Sequence, residues 1–240
     1  MTGEEIAKRL AAGETLTLNA QDMAALMRYH DTQDIREGVE AARGMAQPFN
    51  TDNVQNLLGR YGNTRTRFAF FVALASTFEM TADAYAKGLR FAYLTGQPQD
   101  RYEALRCFYA VRDRRAMMNE EELKVLQDMP ARVQLFRGCS MDEYNANVYG
   151  SSWTTQRSIA EFFAWRFDKQ DSSRCVVSCT IDKAQVLAVF MERKEHEVVA
   201  DIMGTAAGVT LEAAAPTADY LERVRLYGEH VAAFGTEHGQ

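Results

Sequence analysis

Apolar residues recur every three to four positions through the first half of the chain, which is the spacing typical of amphipathic helices. The segment 66–78 is apolar almost all round, so we expect it to be the central buried helix of this half. Asn119, followed three residues later by Glu122, is a capping-box pattern that predicts a helix over residues 120–127. Other helices are predicted over residues 4–12, 21–29, 33–45, 52–60, 81–94 and 99–117.

After Pro130 the apolar pattern shortens to the alternation of half-buried strands. Residues 133–137 alternate in this way and end at Gly138. The pattern predicts an α+β fold, with a helical region over residues 1–130 and a mostly antiparallel sheet region with a C-terminal helix over residues 131–240. Further strands are predicted at 152–155 (as an edge strand), 175–181, 186–191, 197–202 and 209–213, with helices at 158–167 and from Thr217 onward.

The charge balance bears on which partners the protein binds. The 240 residues carry 27 Lys and Arg against 33 Asp and Glu, a net charge of −6, which argues against a general affinity for nucleic acid. A local basic groove is still compatible with this balance. Two arginine clusters could contact backbone phosphates beside tyrosines, or could be solvated helix faces and a loop. They are Arg60, Arg65 and Arg67 beside Tyr61, and Arg112, Arg114 and Arg115 beside Tyr109.

Neither a membrane segment nor a metal site is predicted. Residues 1–5 are acidic, whereas a signal peptide is basic and then apolar, and the longest apolar run, 68–75, is far shorter than the roughly 20 residues that cross a bilayer. We therefore expect a cytoplasmic protein with no membrane contact. The four cysteines and four histidines show no metal-ligand spacing.

The first candidate for chemistry is Arg137, at the end of the first predicted strand and followed by Gly138. Alternation places Arg137 on the same face as apolar Leu135, and a buried guanidinium needs an anionic partner. A ligand phosphate or carboxylate, held by two hydrogen bonds, could be that partner. An ordinary strand-end arginine is the alternative.

Two further segments carry candidate groups. Residues 150–155 combine small hydroxyl side chains with Trp153, which suits a sugar and a stacked heteroaromatic ring; a simple helix cap at Thr155 is the alternative. Glu195 and Glu197 lie two positions apart at the start of a strand, so both point to one face. Apolar residues directly after Glu197 predict that its carboxylate is partly buried. A solvated charged loop is the alternative.

In this order, the three features resemble the R-S-E class of mono-ADP-ribosyltransferases. The matching segments are Leu-Phe-Arg-Gly at 135–138, Ser-Trp-Thr-Thr at 152–155 and Glu-His-Glu-Val-Val at 195–199, and residues 159–164 resemble the apolar helix of that family. The separations also fit, with 15 residues from Arg137 to Ser152 and 45 from Ser152 to Glu197. The resemblance covers residues 131–202 of the chain. Its second segment departs from the usual Ser-Thr-Ser of the family.

The resemblance implies an ADP-ribosyltransferase-like sheet and NAD as the substrate, without a metal. Arg137 would hold the NAD phosphates and brace the site. Thr154, with Ser152 as the less certain partner, would bind the nicotinamide ribose and support the catalytic glutamate, while Trp153 or Phe163 would pack near the nicotinamide. The implied NAD-binding residues are Arg137, Gly138, Ser152, Trp153, Thr154, Thr155 and Phe163.

The two glutamates would divide the catalytic work. Glu197 would accept the 2′-hydroxyl of the ribose and stabilise the oxocarbenium-like charge as the glycosidic bond breaks. Glu195 would orient or deprotonate the acceptor. In this family, glutamate at that position goes with nitrogen acceptors of the arginine type, and some relatives modify DNA or RNA. The acceptor is thus a protein arginine, slightly favoured by the low positive charge, or an amino group of a nucleobase.

Three other functions are compatible with the sequence. Water could replace the acceptor, giving an NAD glycohydrolase, or the chain could be a non-catalytic helical interaction protein or a nucleotide-binding module. Bacterial relatives of this size are often toxins, so the resemblance also implies a toxin or phage-defence effector held by an antitoxin or another inhibitor protein. The helical region 1–130 has no assigned role.

Overall fold

A computed structural model describes residues 1–96, 98, 100–166, 171–192, 196–202 and 208–222 of the chain. It divides into two compact units, Met1–Met117 and Met118–Gln240. Helices come mostly first and a six-stranded antiparallel sheet follows, so the predicted α+β class is confirmed. The boundary between the units lies before the predicted boundary at residue 130, because the helix that begins at Glu120 packs on the sheet of the second unit.

Most helices of the first unit begin at side-chain caps. The side chains of Thr2, Asn19 and Asn50 each accept the backbone N–H three residues later, which satisfies one of the unpaired donors at a helix start. The helices are α1 (Gly3–Ala11), α2 (Ala20–Arg43), α3 (Thr51–Tyr61), α4 (Arg67–Thr77), α5 (Ala82–Thr95) and α6 (Arg101–Tyr109), followed by a 3-10 turn at Arg114–Met117.

Helix α4 is the buried centre of this unit, as its apolar sequence predicts. Four large apolar side chains of α4 are buried, each at most 1% exposed. Aromatic rings of α3 and α5 pack edge-on against three of them. The four buried side chains are Phe68, Phe70, Phe71 and Leu74.

Helix α2 is continuous where the sequence analysis predicted two helices, over residues 21–29 and 33–45. The residues between them are polar, but none is proline or glycine. The Thr32 hydroxyl donates to the Arg28 carbonyl (2.8 Å), so this polar side chain is satisfied inside the helix. Polar composition alone therefore does not end the helix.

The long helix predicted over residues 99–117 is wrong, because α6 ends at Tyr109. The Asp113 carboxylate accepts the backbone N–H of Arg115 (2.9 Å) in the turn that follows. Such a local side-chain bond offers the backbone an alternative to continuing the helix.

The second unit is a twisted sheet with helices beside it. Its strands run in the order β4-β5-β2-β1-β3-β6, and every described neighbouring pair is antiparallel. β2 therefore lies inside the sheet, between β5 and β1, and its prediction as an edge strand is wrong. The elements are α7 (Glu120–Asp128), β1 (Arg132–Ser140), α8 (Met141–Ala146), β2 (Ser152–Thr154), α9 (Arg157–Trp165), β3 (Arg174–Asp182), β4 (Val186–Phe190), β5 (Glu197–Ala200) and β6 (Thr210–Ala213).

Helix α7 begins at the predicted capping box, in which Asn119 and Glu122 satisfy each other's backbone N–H groups. The Glu122 side chain is fully buried, and its carboxylate also accepts the N–H of Met191 (2.9 Å), directly after β4. A buried carboxylate needs such donors. Glu122 thus fixes the start of α7 to the end of the strand that leads toward β5.

Helix α9 lies directly on strand β1 at Gly138. A Cβ atom at this position would overlap the backbone of Ala160 and lie 2.5 Å from the amide nitrogen of Ala164. The close approach of helix and strand therefore requires glycine here. This gives Gly138 a packing role beside the candidate site.

Replacing Gly138 by Ala is expected to lower the free energy of unfolding of the second unit by about 1–3 kcal/mol, because the backbone of α9 must move. Fluorescence of Trp153 and Trp165, both in this unit, follows its thermal unfolding. The control is Gly59→Ala in α3, where a Cβ meets nothing within 4 Å, and which should stabilise by about 0.5–1 kcal/mol as judged by circular dichroism. Equal stability of Gly138→Ala and wild type would contradict the close packing.

The end of the chain is described only in part. Thr217 caps a helical turn at 218–222, where its hydroxyl accepts the N–H of Tyr220 (3.2 Å). The rest of the predicted closing helix, from residue 223 onward, lies outside the described residues. Among the helices that are described, none has the length and apolar character to cross a membrane.

Candidate active site

Strand pairing brings the three sequence motifs together. Thr154 on β2 lies opposite Phe136 on β1 and, on its other side, opposite Glu197 on β5. Arg137 directly follows Phe136, so residues that are 60 positions apart meet across three neighbouring strands. All three motifs contribute to the walls of one cleft.

The closest contact in the cleft joins Ser152 and Glu197. The Ser152 hydroxyl donates to the Glu197 Oε1 at 2.6 Å, and Glu197 is only 7% exposed. Ser152 and Thr154 share one face of β2, since side chains alternate along a strand. The carboxylate is thus partly buried, as its sequence predicts, and is oriented by a hydroxyl group.

Arg137 also lines the cleft and is held there by the protein itself. Its Nη1 donates to the Ser152 carbonyl (2.7 Å), and its Nη2 donates to Glu143 Oε1 (3.1 Å). The Nε atom is buried and has no hydrogen-bond partner among the residues that the structure describes. The anionic partner that Arg137 needs therefore comes from Glu143, which the sequence analysis did not consider.

Glu143 belongs to the first turn of α8, an element that the sequence analysis missed. Its Oε2 accepts the N–H of Ser140 (3.0 Å), while the Ser140 hydroxyl accepts the N–H of Glu143 (3.1 Å). Burial raises the pKa of Glu143, but the charge of Arg137 and the hydrogen bonds outweigh burial and lower it below its ordinary value. Glu143 is therefore held as a carboxylate against Arg137.

The cleft has a volume of about 190 Å³, and its lining includes three arginines. Besides Arg137 these are Arg166, which follows α9, and Arg174, which begins β3; sequence reasoning missed both. Arg174 donates to the carbonyl groups of Ala164 (3.3 Å) and Phe163 (3.5 Å), which fixes its stem near the end of α9. The cleft therefore combines three guanidinium groups with one buried carboxylate, an arrangement that suits an anionic ligand.

The aromatic candidates differ in how they are placed. Trp153 is 2% exposed, donates its indole N–H to the Gly150 carbonyl (3.1 Å) and packs edge-on against Tyr149. Phe163 is half-buried in the wall of the cleft, and the guanidinium of Arg166 lies 5.0 Å from its ring centre. Phe163 is thus the more accessible ring for stacking.

The two threonines also differ. Thr154 lines the cleft, is 5% exposed, and its hydroxyl accepts the N–H of Gln156 (3.1 Å). Thr155 does not line the cleft and does not cap α9, which begins at Arg157 and whose N-cap residue, Gln156, makes no side-chain cap hydrogen bond. The nearest hydroxyl donor to Glu197 among the described contacts is Ser152, whereas the sequence analysis ranked Thr154 first.

Glu195 lies outside the described residues, so its predicted role in acceptor activation has no structural account. The neighbouring His196 has a left-handed backbone with φ 46°, which is uncommon for a residue other than glycine. The chain therefore turns sharply immediately before Glu197 enters β5.

The first arginine cluster considered for phosphate contacts is largely engaged within the helical unit. Arg65 pairs with Asp31 (2.7 Å), and Arg67 donates to three backbone carbonyl groups. The guanidinium of Arg60 lies over the ring of Tyr61. The second cluster, at Arg112, Arg114 and Arg115, surrounds a turn at Asp113, and its binding role stays a prediction.

Across the described part of the chain, no group of three or more His, Cys, Asp and Glu side chains could hold a metal ion. The expectation of a metal-free site stays a prediction.

Comparison with known proteins identifies no family. No family model matches the chain, and no curated protein or solved structure matches it. The function is therefore inferred from the residues of the cleft.

Proposed function

We propose that the protein is a mono-ADP-ribosyltransferase that moves ADP-ribose from NAD to a nitrogen atom of a macromolecule. The observation that carries the proposal is the buried Glu197 carboxylate, which is held by the Ser152 hydroxyl and lines the same cleft as Arg137. These are the acid, hydroxyl and guanidinium of the R-S-E pattern.

Glu197 supplies the charge that the proposed reaction needs. The bond between the nicotinamide nitrogen and the ribose breaks, nicotinamide leaves with the bonding electron pair, and positive charge develops on the ribose. A carboxylate fixed nearby stabilises that charge, as in glycoside hydrolysis. The acceptor nitrogen then forms the new bond to the ribose and loses a proton.

The arginines of the cleft support a diphosphate-bearing substrate. Arg137, Arg166 and Arg174 all bring guanidinium groups to the cleft, where Arg137 also binds Ser152 and Glu143 and Arg174 also binds carbonyl groups at the end of α9. Arginine is well suited to bind phosphate oxygens in pairs. We therefore propose that the three arginines bind the phosphates together and that Arg137 also braces the site.

The size of the cleft suits one end of the dinucleotide. Its 190 Å³ is below the roughly 300–1,000 Å³ typical of sites for whole small molecules, so the nicotinamide ribose occupies it and the adenosine extends beyond. Phe163 on the wall offers a ring for the nicotinamide. No metal takes part in the proposed reaction.

A protein arginine is the favoured acceptor. Two of the arginines considered for nucleic-acid contacts, Arg65 and Arg67, already bind protein groups, and the net charge of −6 gives no general attraction to phosphate backbones. A nucleobase amino group is the other acceptor that the test below distinguishes. By the same resemblance we propose a toxin or defence effector restrained by an inhibitor protein.

The test uses NAD labelled at its adenylate phosphate, incubated with the full chain and a cell extract. We expect nicotinamide release and a labelled macromolecule that protease destroys; destruction by nuclease instead would identify a nucleic-acid acceptor. Nicotinamide release without any labelled macromolecule would identify an NAD glycohydrolase. Absence of both nicotinamide release and label would contradict the proposal.

A further inference from the structure

Glu143 lies outside the three sequence motifs, yet it contacts Arg137, which belongs to the first of them. Its Oε1 accepts a hydrogen bond from Nη2 of Arg137 (3.1 Å). The Glu143 side chain is 32% exposed and the Arg137 side chain is 21% exposed. Arg137 uses its other terminal nitrogen for the Ser152 carbonyl. The guanidinium is therefore held between Glu143 and β2.

A continuous set of polar contacts runs from Glu143 to the buried carboxylate. Glu143 binds Arg137, Arg137 binds the carbonyl of Ser152, and the hydroxyl of that same serine donates to Glu197 (2.6 Å). Each contact is shorter than 3.2 Å. The orientation of Arg137 thus bears directly on the residue that orients Glu197.

The protein leaves space for this arrangement. A Cβ atom on Gly150 would lie 2.9 Å from the Arg137 Nη2, so the absence of a side chain there lets the guanidinium lie flat against the chain. The Glu143 Oε2 meanwhile accepts the N–H of Ser140. One oxygen of Glu143 therefore fixes the start of α8 and the other fixes Arg137.

We infer that Glu143 is a positioning residue, which orients Arg137 and through it the Ser152–Glu197 pair. This inference rests on the proposed function. Glu143 does not line the cleft, so it acts on catalysis through Arg137 and contacts no part of the substrate. Its loss should reduce turnover more than NAD binding.

The test is Glu143→Gln, which keeps the capping box because glutamine serves equally at that helix position, and removes only the charge facing Arg137. We expect kcat for nicotinamide release to fall about 10-fold to 100-fold, the range found when the partner that orients a site residue is lost. The KM for NAD should change much less. Glu143→Asp, which keeps the charge, should recover part of the kcat.

The matched control is Ser140→Ala, which removes the capping hydroxyl and its 3.4 Å contact to Glu143 Oε2 but keeps the ion pair of Glu143 Oε1 with Arg137. It should lower the melting temperature and leave kcat unchanged. An additional variant, Arg137→Lys, tests whether Glu143 acts through Arg137. The double variant Arg137→Lys/Glu143→Gln should lose little more kcat than Arg137→Lys alone. If Glu143→Gln does not fold, the test uses Glu143→Asp instead, first alone and then combined with Arg137→Lys.

The outcomes separate the two claims. Wild-type protein that releases no nicotinamide overturns the proposed function and this inference with it. Wild-type activity together with an unchanged kcat in Glu143→Gln overturns the inference alone. A fall in kcat that Ser140→Ala reproduces would assign Glu143 to helix stability only, which also overturns the inference.

Discussion

Replacing Glu197 by Gln is expected to reduce the rate of nicotinamide release from NAD by about 100-fold to 1,000-fold, the range for losing one group that stabilises transition-state charge. Glutamine has the same shape and can still accept the Ser152 hydroxyl, so the fold should be retained. What the variant lacks is the negative charge next to the developing oxocarbenium. Circular dichroism and the initial rate of nicotinamide release measure the two effects separately.

The control for this variant is Asp182→Asn, which removes an equal charge from the same sheet. Asp182 is 63% exposed at the end of β3, pairs with Arg132 at 3.4 Å, and does not line the cleft. Exposed pairs of this kind contribute little, so activity and stability should stay near those of wild type. A Glu197→Gln protein that is as active as Asp182→Asn would remove Glu197 from the catalytic role.

Replacing Ser152 by Ala is expected to reduce kcat about 10-fold to 100-fold, with little change in the KM for NAD. The hydroxyl is the described donor to Glu197, so its loss leaves the carboxylate less firmly oriented. The backbone carbonyl of residue 152 remains, which preserves the contact to Arg137. Steady-state kinetics of nicotinamide release at pH 7 provide the measurement.

The variant Thr154→Val distinguishes the role of the Thr154 hydroxyl from that of the Ser152 hydroxyl on β2. The Thr154 hydroxyl accepts the N–H of Gln156, so its removal should disturb the turn into α9 and cost some stability. We expect a smaller loss of kcat than in Ser152→Ala. The opposite ranking would restore the assignment made from the sequence, in which Thr154 is the principal hydroxyl.

The fold class and most elements follow from the sequence because their signals are local. The apolar segment around Phe70 predicts the buried helix α4, and the Asn119 and Glu122 pair predicts the start of α7. By contrast, the polar residues between the two predicted helices give no local signal that α2 is continuous. The interior position of β2 depends on which strands pair, and a three-residue strand carries no signal for that.

The candidate site is predictable only in part, for a similar reason. Arg137, Ser152 and Glu197 stand out because their residue types are unusual beside apolar strands. Glu143 does not, since an acidic residue at the start of a short helix is ordinary and its contact to Arg137 depends on the turn after β1. Arg166 and Arg174 look like surface residues until α9 and β3 bring them to one cleft.

The measurement that tests the central claim most directly is a crystal structure of the Glu197→Gln variant soaked with NAD, since slow turnover preserves the substrate. The account predicts the nicotinamide ribose in the cleft, with its 2′-hydroxyl within hydrogen-bond distance of residue 197 and its diphosphate beside Arg137, Arg166 or Arg174. NAD bound elsewhere would contradict the account. So would a crystal whose cleft holds no NAD, together with solution titrations that detect no binding at high NAD concentration.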